Sequence, residues 1–318
     1  MILQADGRKL NQVERLLAPF IAGYDCFIVK PNFFKALPGY YTDAETLDLI
    51  LSLLPGSKHV IECYTAARSE RCRKLSEGGG VDHRDEFRQE DEIFFQSTGI
   101  QKVLAKHDAC YLNVTEEVWA GRTADSQFVR AQVKNRHASV EHQELYEYVP
   151  QRLLDLENPL FVNLAKFKIF DVGAGQPFFS LSMKNLFGLI PTPSRQIYHG
   201  KEYDGLARSI TDMCAIYCSL FPMLHLLEAI HSTLFPGHNE SQDALKDLGL
   251  LMASDSPVEL DACAVRLAGA QPSERHFLQM GAEVFGAWDE HRFPQPPQKW
   301  QAFFARFGIP CAAPRSSD

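Results

Sequence analysis

The chain has 318 residues, of which 45% are hydrophobic and 23% are charged. This composition is typical of a soluble globular protein with a sizeable core, and it excludes collagen-like, low-complexity and disordered chains. The net charge of −8 argues against general affinity for nucleic acid or for anionic membranes. No apolar run approaches the roughly 20 residues of a membrane span, and the N-terminal pattern is not that of a secretory signal. The eight cysteines are dispersed, which favours reduced thiols and a cytoplasmic location.

The first part of the chain alternates between helical and strand-like patterns. Residues 8–22 have helical apolar spacing, and residues 25–30 form a short apolar run that stops at a Pro-Asn turn. A helix start at Thr42 leads into apolar helical spacing up to Leu54, and residues 59–63 predict the next buried strand. This succession predicts a βαβ unit, and therefore a parallel sheet.

The next part of the chain is more polar. Residues 64–87 predict a loop or mobile lid, because they are polar, basic and then glycine-rich, with the three consecutive glycines as a possible hinge. Residues 91–106 predict a helix, and residues 109–114 predict a strand. Residues 115–158 lack a clear period, so we interpret them as an insertion or a small subdomain.

A second group of apolar elements follows. Residues 159–170 predict a strong strand that ends in a lysine pair, and residues 172–175 predict a turn. Residues 177–190 predict a helix with a proline near its start, and residues 202–222 predict a long apolar helix. Residues 224–232 are either a strand or a continuation of that helix.

The last part of the chain predicts one strand and three helices: 247–254, then 256–267, 273–288 and 298–308. The alternation along the chain predicts an α/β fold, with a mostly parallel, doubly wound sheet, flanking helices and a smaller inserted or lid region. Residues 1–114 and 159–270 would form the α/β core, and residues 271–318 would pack on it as C-terminal helices. Ligands of such folds bind beyond the carboxyl ends of the strands.

None of the common fingerprints of nucleotide, zinc-protease or hydrolase sites is present, and no metal site is predicted. Polar side chains instead cluster where the apolar strands end. Lys30 and Asn32 close the first buried strand, and Arg68 lies in the basic segment after the second. Lys166 and Lys168, two residues apart near the end of the third, would point to one face of the sheet.

Further polar residues lie in the segment that follows. Lys184 and Asn185 interrupt a very apolar stretch, and Arg195 and His199 come in the next loop. A lysine among apolar neighbours must reach water, pair with a carboxylate or bind a ligand. The joint placement of these residues at strand ends favours an anion-binding site.

Structural explanations exist for each residue taken alone. Lys166 and Lys168 would fit an exposed sheet edge, and the segment around Arg68 would fit a solvated charged surface. Lys184 would fit a side chain that reaches surface water, and Asp255 would fit a helix cap or turn.

Four segments resemble the domain of unknown function 362 family. They are VKPNFF at 29–34, NLAKFKIF at 163–170, SLSMKNLFGLIPTPSRQIYHGK at 180–201 and LMASDSPVELDACAVRLAG at 251–269. The block MKNLFGLIP, followed by an arginine and a Tyr-His pair, is the most specific part. The resemblance implies an α/β fold, distantly similar to the catalytic domain of lactate racemase, and a site without a settled reaction.

The resemblance also points to particular positions and departures. The family motifs match Lys30, Asn32, Lys166, Lys168, Lys184, Asn185, Arg195, His199, Asp255 and Asp261. The family usually has a histidine shortly after the second lysine of the pair, whereas this chain reads Ile169-Phe170-Asp171. Many relatives carry a cysteine-rich ferredoxin module, whereas this chain has no such cysteine run, so no iron–sulfur cluster is expected. No other cofactor is predicted from the sequence.

These patterns together predict an enzyme for a small anionic substrate: a carboxylate, a phosphate or a sulfate ester. The expected chemistry is lyase- or isomerase-like proton transfer, or a ring-forming step with loss of an anionic group in a biosynthetic pathway. The expected catalytic residues are Lys184, His199 and Lys168. The expected substrate-binding residues are Lys30, Asn32, Arg68, Lys166, Asn185, Arg195, Asp255 and Asp261.

Two other functions remain open from the sequence. The chain, with its 22 phenylalanines, would also suit a non-catalytic partner subunit of a biosynthetic enzyme complex, or a homo-oligomer. A racemase that depends on nickel or another cofactor, similar to lactate racemase, is the third hypothesis.

Overall fold

The computed structural model describes residues 1–77, 83–138, 140–171, 177–200, 204–233 and 245–294. A seven-stranded sheet forms its centre, and a two-stranded sheet lies beside it. The strands are β1 (Ile2–Asp6), β2 (Cys26–Lys30), β3 (Ser57–Glu62), β4 (Cys110–Asn113), β5 (Leu160–Lys166), β6 (Lys168–Asp171), β7 (Pro177–Ser180), β8 (Met223–Thr233) and β9 (Leu245–Ser254).

The order of the large sheet is β1-β9-β8-β5-β2-β3-β4. The run from β8 to β4 is parallel throughout, whereas β9 and β1 add an antiparallel edge. The predicted α/β class with a mostly parallel sheet is therefore confirmed. The carboxyl ends of β2, β3 and β5 meet at one edge of the sheet, which is where ligands of such folds bind.

Helices cover both faces of the sheet. They are α1 (Leu10–Ile21), α2 (Ala44–Leu53), α3 (Glu70–Glu77), α4 (Arg84–Thr98), α5 (Ile100–Lys106), α6 (Val114–Trp119), α7 (Ser126–Arg136), α8 (Gln151–Leu154), α9 (Ser182–Phe187), α10 (Asp204–Leu220), α11 (Pro257–Leu267) and α12 (His276–Phe285). Alternate residues of β2 enter different cores: Phe27 and Val29 pack towards α1 and α2, and Ile28 packs towards α10 and α11. This alternation follows from the two-residue period of a strand.

The predicted strand 159–170 is in fact two strands. β5 ends at Lys166, and the N–H of Phe167 donates to the carbonyl of Glu228 (2.8 Å) before Lys168 begins β6. β6 leaves the large sheet and pairs with β7, with Lys168 opposite Ser180. The prediction that Lys166 and Lys168 share one face of a strand is therefore wrong, because the strand breaks between them.

The predicted helix 177–190 is also divided. Residues 177–180 form β7, and α9 begins only at Ser182. Pro177 thus belongs to a strand, because the backbone of this segment pairs with β6. Phe179, which alternates with its neighbours along β7, is buried in the core on the α10 side of the sheet.

Several polar segments are more ordered than their patterns suggest. Residues 70–77 of the predicted loop form α3, and the predicted helix 91–106 is split at Gly99, whose φ of +76° ends α4. Within the predicted insertion 115–158, Val129 and Val133 of α7 join the same apolar core as Phe161 of β5. The triple glycine, the turn at 172–175 and the helix at 298–308 lie outside the described residues.

The start of α9 is fixed by a carboxylate from α11. Asp261 is fully buried and accepts hydrogen bonds from the backbone N–H groups of Ser182 and Met183, both at 2.8 Å. These donors are among those that a helix N-terminus leaves without partners. Asp255 is 65% exposed and lies next to the amino group of Met1, and the hydroxyl of Ser256 caps α11. Asp261 therefore positions α9, and neither aspartate binds at the cavity described below.

We expect Asp261→Ala to destabilise the protein by at least about 2 kcal/mol, because two buried N–H groups would lose their acceptor. Asp255→Ala, in the same segment but exposed, should change stability by less than about 0.5 kcal/mol. Chemical denaturation of both variants measures the difference. Equal effects of the two substitutions would contradict the role of Asp261.

Candidate functional site

A cavity of about 330 Å³ opens at the carboxyl ends of β2 and β3, between β6 and α9. Its polar lining comes from strand ends, from α9 and from the loop after it. The side chains that line it include Lys30, Asn32, Phe34, Glu62, Thr65, Arg73, Lys168, Phe170, Ser180, Lys184, Asn185, Phe187, Arg195 and His199. Seven of the residues expected to form a site from the sequence therefore lie together here.

An ion pair lies at the bottom of the cavity. Lys30, only 1% exposed, places Nζ 2.9 Å from Oε2 of Glu62 and 2.7 Å from the carbonyl oxygen of Pro31. Burial lowers the pKa of Lys30, and the adjacent Glu62 carboxylate opposes this effect. Glu62 also accepts the N–H of Phe33 at 3.0 Å, which ties the end of β3 to the chain after β2.

A hydrogen-bonded network of amides connects this ion pair to a second lysine. Asn185 donates to the carbonyl of Lys30 (3.0 Å) and accepts from the side-chain amide of Asn32 (3.0 Å). Asn32 in turn accepts from Nζ of Lys168 at 2.7 Å. Asn185 also donates to Oδ1 of Asn163 at 2.8 Å. The two asparagines therefore fix the relative positions of β2, β6 and α9 around the cavity.

Lys168 lies in a place that disfavours a positive charge. It is 2% exposed, and its oxygen contacts are to the neutral groups of Asn32 and the Tyr40 carbonyl (3.4 Å). Burial lowers its pKa well below the usual value, and the positive charges of Lys184, Lys166 and Lys30 lower it further. An anion bound next to Lys168 would reverse part of this effect.

Lys184 projects from α9 between two aromatic rings. Its Nζ lies 5.5 Å from the ring centre of Phe178 and 5.2 Å from that of Phe187. Burial, with the charge of Arg195, lowers the pKa of Lys184 to about 8. Burial, with the charges of Lys184 and Arg195, lowers the pKa of His199 to about 4, so His199 is neutral at pH 7.

Arg195 closes the α9 side of the cavity. Its guanidinium donates to three carbonyl oxygens: Ile190 (2.8 Å), Gly188 (2.9 Å) and Tyr64 (3.0 Å). Carbonyl groups hold the arginine in place without neutralising it, so its positive charge remains available to the cavity.

Arg68 does not line the cavity. It is 6% exposed, pairs with Asp91 (2.8 Å), donates to the carbonyl of Phe33 (2.7 Å) and stacks 3.9 Å from the ring centre of Phe94. These contacts make Arg68 a structural link between α4 and the chain after β2.

Lys166 does not line the cavity either. It pairs with Glu228 of the adjacent strand β8, and its Nζ lies 3.8 Å from Oδ2 of Asp43. Burial raises the pKa of Glu228 to about 7, although the charge of Lys166 opposes this. Lys166 therefore has carboxylate partners and lies outside the cavity. The sequence, in contrast, predicts a substrate-binding role for it.

Sequence reasoning missed Glu62 and the aromatic wall of the cavity, which is formed by Phe34 and Phe170. Glu62 ends a buried strand just as Lys30 does, so the rule that singled out the lysines would also have found it. Phe34 and Phe170 carry no comparable signal, since phenylalanine is common throughout the chain. Within the described part of the chain, no group of three or more His, Cys, Asp or Glu residues could hold a metal ion. No described helix is long and apolar enough to cross a membrane.

A model of the DUF362 family, a domain of unknown function, matches residues 28–266. The chain belongs to this family. The matched range includes every cavity residue from Lys30 to His199. No curated protein and no solved structure matches the chain. In this DUF362 member, the block around α9 that is most specific in sequence also forms one wall of the cavity.

Gly188, at the end of α9, leaves room for the buried ion pair of this DUF362 member. A Cβ atom there would lie 2.9 Å from the carbonyl oxygen of Asn185 and 3.1 Å from Nζ of Lys30. We expect Gly188→Ala to displace Lys30 and to destabilise the protein by about 1–3 kcal/mol. Chemical denaturation tests this, and an unchanged midpoint would show that the ion pair tolerates a side chain at this position.

Proposed function

We propose that this chain is an enzyme that binds a small anionic substrate, such as a carboxylate, a phosphate or a sulfate ester, in the cavity beside α9. The observation that carries the proposal is the excess of positive charge. Among the described lining residues, Lys30, Lys168, Lys184 and Arg195 are basic, whereas the only carboxylate is that of Glu62, which is engaged by Lys30. Arg73 also lines the cavity, but it pairs with the exposed Glu70. An anionic substrate would offset the remaining charge.

The expected reaction is proton transfer of the lyase or isomerase type, or a ring-forming step from which an anionic group leaves. Lys184, with a pKa of about 8, can accept and return a proton near neutral pH. Lys168 and Arg195 would stabilise the negative charge that develops on the substrate.

Anion binding is tested by thermal unfolding in the presence of sulfate, phosphate and small carboxylates. At about 100 times its dissociation constant, a bound anion should stabilise the protein by about 2.7 kcal/mol. We expect Lys168→Met to lose most of this stabilisation, because it removes a buried cation of the cavity. The matched control is Lys102→Met, which removes an exposed lysine of α5 and should respond as the unaltered protein does. Equal stabilisation of both variants would refute the proposed site.

Sulfate affinity should depend on the charge of Lys184. Sulfate keeps its charge across the range from pH 6 to 10, whereas Lys184 loses its proton above pH 8 or so. Affinity should therefore fall as the pH rises through about 8, by up to about tenfold per pH unit. In Lys184→Arg, whose side chain stays charged, this fall in affinity should be absent. Titration calorimetry with sulfate at several pH values measures the affinity of both proteins. The same fall in Lys184→Arg would assign it to another group.

A further inference from the structure

The lysines of the cavity differ in what surrounds their nitrogen atoms. Nζ of Lys30 is held by a carboxylate and a carbonyl, and Nζ of Lys168 by an amide oxygen and a carbonyl. Nζ of Lys184 has ring contacts with Phe178 and Phe187, and no described residue accepts a hydrogen bond from it. Among the described cavity lysines, Lys184 is therefore the one whose nitrogen is not tied to an oxygen acceptor.

A half-buried amine that has no hydrogen-bond acceptor among the described residues can serve as a nucleophile. A lysine nitrogen becomes a nucleophile only when it is neutral, and burial beside other cations favours the neutral form. Among the described residues, the charged groups that interact with Lys184 are Arg195 on the following loop and Lys168 on β6, and neither is a carboxylate. His199 faces it as a neutral imidazole. The surroundings of Lys184 thus resemble those of lysines that form imines with carbonyl compounds.

We propose that Lys184 forms an imine with a substrate carbonyl, and that the substrate is a 2-oxo acid or an aldehyde that also carries an anionic group. This inference rests on the proposed function, because Lys168 and Arg195 would hold the anionic group of the same molecule. Lys168, Arg195 and Lys184 all line this cavity, so a molecule whose anionic group is held by the first two would lie in the same cavity as the amine. The aromatic wall of Phe34 and Phe170 would contact the rest of the substrate.

The step is balanced with one proton from solvent and no further reactant. The lone pair of neutral Nζ forms a bond to the carbonyl carbon, and a proton passes from nitrogen to the former carbonyl oxygen. The carbinolamine hydroxyl then takes up a proton from solvent and leaves as water. The nitrogen keeps its second hydrogen, and its lone pair forms the carbon–nitrogen double bond of a protonated imine. His199, a neutral imidazole that lines the same cavity, would carry the proton. The protonated imine withdraws electrons from the neighbouring carbon, which is what lyase or isomerase chemistry at that carbon needs.

The probe for this amine is pyridoxal 5′-phosphate, an aldehyde with an anionic group, and its matched control is pyridoxal, which lacks the phosphate. The full-length protein is incubated with each aldehyde and reduced with borohydride, and the modified peptides are mapped by mass spectrometry. We expect one reduced adduct, on Lys184, formed at least tenfold faster with the phosphorylated aldehyde. Its rate should rise with pH and level off above about 8, because the neutral amine is the reacting form.

Variants separate this amine from ordinary surface lysines. Lys184→Arg and Lys184→Met should lose the adduct, whereas Lys102→Arg should keep it, and unfolding curves establish that each variant is folded. An adduct on Lys168, or labelling of Lys184 no faster than that of exposed Lys102, would overturn the imine proposal. Sulfate stabilisation is measured on the same samples. Stabilisation without an adduct overturns the imine alone, and failure of both overturns the anion site as well.

Discussion

The structure of this chain is organised around the burial of several ammonium groups at one edge of the sheet. Lys30, Lys166, Lys168 and Lys184 all approach the carboxyl ends of parallel strands, and the charges of the other three lower the pKa of Lys168. A buried ion without a partner costs several kcal/mol, so each lysine needs compensation. Lys30 and Lys166 receive glutamates, Lys168 receives neutral oxygen atoms, and Lys184 receives aromatic rings.

These partners distinguish the lysines that link neighbouring strands from the lysines that are available to a substrate. The two lysines that are fully paired lie at the bottom of the cavity or outside it, where they join neighbouring strands. The two that have no carboxylate partner among the described residues, Lys168 and Lys184, both line the cavity, one from β6 and one from α9. Because Asp261 and Asn185 fix α9 against the sheet, the separation between these two cations is set by buried hydrogen bonds. An anion of matching size would therefore find its cations already positioned.

Most of the fold could be predicted from local patterns, because the apolar runs and their turn residues mark β2, α2 and β3 directly. The break at Phe167 could not, since it depends on pairing with β8 and on a second sheet formed with β7. The rule that strand ends meet predicted Lys30, Asn32 and Lys168 as site residues. Lys184, Asn185, Arg195 and His199 were predicted from polar residues in and after an apolar stretch and from the family resemblance. The partners of Arg68 and Lys166 could not be predicted, because Asp91 and Glu228 lie far away in the sequence.

The two roles considered for Lys184 make the same demand on its surroundings. A proton acceptor and an imine-forming amine must both be neutral near pH 8. Burial of Lys184 between two rings and beside Arg195 favours this neutral form. The two roles differ in the substrate atom that Nζ contacts. A proton acceptor contacts a hydrogen of the substrate, whereas an imine-forming amine contacts its carbonyl carbon. A carboxylate partner would serve neither role, because it would hold the amine in its protonated form. None of the described neighbours of Lys184 provides such a carboxylate. Burial therefore disfavours its charged form, and the same effect favours the neutral amine that both roles require.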